Sequence, residues 1–208
     1  MRLFVIGGSG QLGRLVVGES LLRGHRVTVQ SRQAARVPPW TRAAVGDPCD
    51  AGFLAAALPG HDAVLYALGV DHAGPTTLFS DSTRALIPAM QAAGVARLIA
   101  ITGSGAGETG SHGGWLYNSI IHPLITRHRH ADKNVQEEMI ASSALDWTII
   151  RPGPYTAGPL PGALTAVWPV PPDLKINAVT REEVAEYMLD VVEQHRWPHG
   201  RPLVGHLA

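Results

Sequence analysis

The 208-residue sequence predicts an α/β fold: a doubly wound parallel sheet with helices on both faces, built as a single domain. Three features of the chain point to it. Apolar runs of strand length alternate with segments of helical period, a glycine-rich turn directly follows the first such run, and no linker or internal repeat marks a second domain. Hydrophobic residues make up 45% and charged residues 16%, which at this length suffices for one well-buried core.

Leu3 to Ile6 reads as a buried first strand. Gln11 to Arg23 follows as a helix, with Leu12, Leu15, Val16, Leu21 and Leu22 at helical spacing and Gly24 as its C-cap. Val27 to Gln30 and Ala43 to Val45 are the second and third strands, and Asp50 to Leu58 is a short helix closed by Pro59-Gly60. Asp62 to Leu68 is the fourth strand, Thr76 to Ala93 a long helix ended by Gly94, and Arg97 to Ile101 the fifth strand. A helix from about Asp132 to Ser143 leads to the sixth strand, Trp147 to Ile150. Thr180 caps a last helix to about Gln194, with Glu182 and Glu183 in its first turn, and Leu203 to Val204 adds a short strand. Two stretches break this rhythm, glycine-rich Gly103 to Gly114 and proline-rich Pro152 to Pro172. They predict irregular loops, around 103–131 and 152–175, on the edge where doubly wound sheets bind ligands.

Lys plus Arg equals Asp plus Glu at 17 each, so the chain has no global field to hold a nucleic-acid backbone. A single cysteine, Cys49, excludes an intrachain disulfide and a cysteine-rich metal site. No signal peptide or membrane-length apolar run is legible, and a cytoplasmic protein is expected.

Gly7, Gly10 and Gly13 form G-x-x-G-x-x-G between the first strand and the first helix. That spacing lets the chain turn sharply, admits a pyrophosphate close to the backbone and packs the helix on the strand. Gly7, Ser9, Gly10, Gln11 and Leu12 are the candidate phosphate contacts. The second strand ends in Gln30-Ser31-Arg32, with Arg36 beyond it, where a carboxylate would favour NAD. Ser31, Arg32 and Arg36 suit a 2′-phosphate, so NADP(H) is expected over NAD(H); the alternative is that both arginines are solvated surface charges. Asp47 either meets the adenine edge or caps the next helix.

With these residues in place, the chain resembles the atypical short-chain dehydrogenase/reductases, and within them the NAD(P)H-binding flavin reductase/biliverdin-IXβ reductase-like (NmrA-like) group. The resemblance runs through Gly7 to Gly13, Arg32 with Arg36, Gly46-Asp47, Asp62 to Val64 with Leu68-Gly69, and Gly74 to Thr77. It continues through Asp132-Lys133, Gln136-Glu137, Ser143 to Gly153 and Ile176 to Leu189. It implies a Rossmann-type sheet, with Leu68 and Gly69 near the adenosine and ribose. Thr102 and Gly103 would lie near the nicotinamide ribose, and Pro152 and Gly153 near the nicotinamide.

One departure bears on mechanism. Short-chain dehydrogenases use Tyr-x-x-x-Lys, and Lys133 resembles that lysine, but Arg129 stands four residues before it. Arginine stays protonated and cannot act as the proton donor. Carbonyl reduction would need another acid, such as Tyr117 or Tyr155. The hydroxyls nearest the group's usual serine position are Thr102 and Ser104, so Lys133, Ser104 and Tyr155 are the catalytic candidates. A flavin or similar conjugated acceptor tolerates the missing acid, because the reduced ring takes its proton from water. Lys133 either orients the nicotinamide ribose or is a surface lysine paired with Glu137.

Trp115, Tyr117 and Tyr155 are candidate substrate contacts, the first two alternatively packing anchors for their loop. His122, His128 and His130, beside Arg127 and Arg129, read as a basic patch rather than a metal site, and Trp147 as core. The expected activity is NADP-dependent reduction of a small molecule by a monomer or homodimer. The alternatives are a non-catalytic NADP(H) sensor, or a dedicated reductase or isomerase of a biosynthetic pathway.

Overall fold

A computed structural model describes residues 1–71, 74–104, 127–172 and 174–207, with backbone alone at 127 and 128. Strands β1 (Arg2–Ile6), β2 (Arg26–Ser31), β3 (Arg42–Val45), β4 (Ala63–Tyr66), β5 (Arg97–Ile101), β6 (Asp146–Pro152), β7 (Thr165–Val167) and β8 (Leu203–Gly205) form one sheet. Its order is β3-β2-β1-β4-β5-β6-β8-β7. Every neighbouring pair is parallel except β7 with β8. The helices are α1 (Gln11–Leu22), α2 (Ala51–Ala57), α3 (Leu78–Ala92), α4 (Arg127–Ala141) and α5 (Arg181–Glu193).

Strand periodicity divides the core into two layers. Leu3 and Val5 pack with Val16, Val17, Val184 and Met188 beneath α1 and α5. Phe4 and Ile6 point the other way, to Leu54, Phe79, Leu86 and Ile140 beneath α2, α3 and α4. Residues 3–6 are fully buried because β1 is central and helices cover both faces, which is why this run shows no polar alternation.

Two elements differ from the sequence reading. The proline-rich stretch contains β7, whose Thr165, Ala166 and Val167 pair with Gly205, Val204 and Leu203. Only at a sheet edge can a three-residue run between prolines find hydrogen-bond partners, so the stretch is not wholly irregular. Helix α4 already includes Arg127, well upstream of Asp132. The Asp132 carboxylate accepts from the Phe79 and Ser80 amides at 2.9 and 3.3 Å, capping α3 across the helix pair. Thr77, the N-cap residue of α3 itself, makes no capping bond with its side chain.

Candidate functional site

The strand order reverses between β1 and β4, and the glycine turn lies at the carboxyl end of β1 beside that switch point. Gly7 has φ +78°, and a Cβ there would stand 2.7 Å from the Leu68 Cα. At Gly13 a Cβ would meet the Gly7 carbonyl oxygen at 2.1 Å, so helix and turn touch backbone to backbone. At Gly10 only that oxygen lies near, at 3.3 Å. Gly10 is the N-cap of α1 and has no capping side chain, and no acid stands in the first turn. The first amides of α1 thus face outward with the positive end of the helix dipole. Space and charge at the turn both suit a pyrophosphate.

The end of β2 holds the turn in place. Buried Gln30 accepts from the Gly7 amide at 3.3 Å and donates to the Gly46 carbonyl at 2.8 Å, tying the glycine loop to the loop after β3. Sequence reading saw at Gln30 only the absence of a carboxylate; its bridging role depends on the β1-β2-β3 neighbourhood. The buried Ser31 hydroxyl lies 3.4 Å from that of Ser9 and donates to the Gln33 carbonyl at 2.9 Å. Arg32 and Arg36 are exposed beside it, and no carboxylate pairs with either among the described residues. Asp47 accepts from the Cys49 amide at 2.9 Å, while Asp50 caps α2, so the capping alternative for Asp47 is overturned.

At the ends of β5 and β6 stands a buried charged group. The Arg151 guanidinium grips Glu137 through Nε at 3.1 Å and Nη2 at 2.5 Å, and Thr102 donates to the same carboxylate at 2.5 Å. Glu137 is 2% and Arg151 0% exposed on the whole-residue scale, so each needs the other to offset its desolvation. Nothing in the spacing of these residues announced the arrangement, because three separate elements contribute to it.

Lys133 is buried, which corrects the surface alternative. Its ammonium donates to the Ile101 carbonyl at 2.9 Å and lies 4.5 Å from the centre of the Phe79 ring. Burial pushes it down to about 8; Glu137 and Asp132 oppose that shift and Arg129 adds to it. Of the four tyrosines, three lie in the described residues, and each contacts a residue other than Lys133. Tyr66 bonds Ser82 at 2.6 Å, Tyr155 has the Arg181 guanidinium 4.6 Å from its ring centre, and Tyr187 accepts from Trp197. Ser104 is buried and donates its amide to the Pro152 carbonyl at 2.9 Å, joining the ends of β5 and β6. Gly153 has a local reason to be glycine, since a Cβ would stand 2.4 Å from the Asn177 carbonyl. Gly69 and Gly103 meet no such neighbour. Trp147 is core, as read from the sequence. Trp115 and Tyr117 lie outside the described residues, as do His122 and the side chain of His128. Among the described residues no three His, Cys, Asp or Glu converge as a metal site, and no helix is long and apolar enough to cross a membrane.

A parallel sheet whose order reverses beside a bare, glycine-rich helix start defines a Rossmann-type nucleotide-binding fold. The chain belongs to the NAD(P)H-binding family, whose model matches residues 7–195. Among known proteins it is 28% identical over 207 residues to the photosystem II assembly factor Ycf39 of Synechocystis sp.. That match covers 93% of the chain but only 59% of the relative's length. It is 27% identical to a Bacillus subtilis protein named as an uncharacterized sugar epimerase, YhfK, over 93% of the chain and 89% of that protein. The anaerobilin reductase ChuY of Escherichia coli O157:H7 shares the fold, with a TM-score of 0.81 at 19% identity, over 99% of the chain and 97% of that structure. The family and fold agree with the resemblance read from the sequence.

Proposed function

We propose that the chain is an NADP(H)-dependent reductase passing hydride to a flavin or a similar conjugated small molecule. The observation that carries this reading is the lysine position without its acid. Lys133 is turned to a backbone carbonyl and a phenyl ring, and Arg129 stands where the tyrosine would be. A ketone needs a proton donor at its oxygen, whereas a conjugated ring spreads the added charge and is protonated by water. The bound reduced nicotinamide supplies the hydride. The protein's part is to bind and orient: α1 amides at the pyrophosphate, Ser31, Arg32 and Arg36 at the 2′-phosphate, and Thr102, fixed by Glu137, at the nicotinamide ribose.

The relatives' names, an assembly factor and an epimerase, are different uses of such a fold, so activity has to be argued from the site. The deciding experiment follows loss of reduced-nicotinamide absorbance with FMN, FAD, riboflavin and quinones, using NADPH and then NADH. Flavin-dependent turnover that prefers NADPH supports the reading. Tight NADPH binding with no turnover on any of these acceptors overturns it in favour of a cofactor-sensing role or a dedicated substrate of another class.

A further inference from the structure

We infer that Arg14 is a third arm of the 2′-phosphate pocket and contributes to the choice of NADP(H) over NAD(H). The inference rests on the NADP(H) reading above and adds a residue to it. Arg14 is the fourth residue of α1, exposed, directly after Gly13. Its Nε donates to the Ser9 carbonyl at 3.1 Å, which folds the side chain back over the loop. The Ser9 hydroxyl in turn lies 3.4 Å from that of Ser31 at the end of β2. Arg14 and the β2 terminus therefore flank the same residue from two sides.

Charge supports the same placement. Arg2, Arg23, Arg84, Arg97 and Arg151 each sit on a carboxylate. Arg14, Arg32 and Arg36 have no such partner among the described residues, which is true also of Arg26, Arg42, Arg181 and Arg196; what sets the first three apart is that they stand around the Ser9–Ser31 pair or the chain just beyond it. With Nε committed to the Ser9 carbonyl, the two Nη groups of Arg14 are left as a fork that matches a phosphate monoester. The backbone bond also fixes where the fork is presented, lowering the side-chain entropy lost on binding. A ribose carrying two hydroxyls offers the fork no charge, so the contact discriminates between the cofactors.

The test measures dissociation constants for NADPH and NADH, from the fluorescence of the bound reduced nicotinamide, in wild type, R14A, R14K and R32A. Unchanged thermal melting of the ligand-free variants checks that the fold is intact. The expected result is an R14A that binds NADPH about tenfold more weakly and NADH within about twofold of wild type. R14K, which keeps the charge but lacks the Nε anchor, falls between. Equal loss of both cofactors in R14A overturns the inference, because it assigns Arg14 to the loop or the pyrophosphate, and so does no loss at all. If R32A loses discrimination while R14A keeps it, the NADP(H) reading stands and only Arg14 falls. A wild type that does not discriminate removes both, and is seen before any variant is made.

Discussion

The glycines of the turn differ in what confines them, and single substitutions separate those constraints. Gly13→Ala forces a Cβ to 2.1 Å from the Gly7 carbonyl and is expected to destabilise the protein by about 2 kcal/mol, read in denaturant melts. Gly10→Ala meets only one atom, at 3.3 Å, so it is expected to fold like wild type while its methyl intrudes on the pyrophosphate. Titration with NADPH should then show weakened binding in a normally stable protein. Lys133 poses a different test, because its folded value is about 8 against an ordinary 10.5. Between those pH values the unfolded chain holds a proton that the folded chain has released, so stability from this group rises with pH. Across that window the rise is roughly 3 kcal/mol, and it is absent from Lys133→Met. Parallel pH–stability curves for the two proteins would contradict the buried ammonium.

At the scale of elements, the helices depend on caps that are only partly local. The start of α5 is self-contained. The Thr180 hydroxyl accepts from the Glu183 amide at 3.2 Å, and the Glu183 carboxylate accepts from the Thr180 amide at 2.9 Å. Thr180→Ala is expected to cost about 1 kcal/mol. Burial alone would raise the Glu183 carboxyl, but the Thr180 amide and hydroxyl and His206 outweigh it and hold it below its ordinary range. A carboxyl lowered on folding contributes stability above its unfolded value and loses it as pH falls through the folded one. Urea midpoints of Glu183→Gln should therefore fall less steeply than those of wild type on acidification. The cap of α5 could be read from the sequence because both partners lie within four residues. That of α3 could not, because Asp132 reaches it from α4.

For the molecule as a whole, a site assembled from several strand ends should couple cofactor binding to global stability. At a hundredfold excess over its dissociation constant, NADPH should add about 2.7 kcal/mol, or on the order of 5–10 °C in melting temperature. NADH at the same concentration should add less, and scanning calorimetry compares the two directly. No shift with either would contradict the assigned site. Local patterns along the chain already specify the parallel sheet, the glycine turn and the cofactor class. Strand and helix periodicity are local, and a glycine that must accept another backbone leaves its mark as a fixed spacing. The chain order of the strands and the missing carboxylate after β2 were legible for the same reason. The rest emerges on folding: Gln30 as a bridge between two loops, Glu137 gripped by Arg151 and Thr102, Lys133 buried rather than solvated, and β7 at the sheet edge. Each joins residues distant along the chain, and the energies involved, desolvation of buried charge and pairing of edge amides, depend on neighbours that exist only once the sheet has formed.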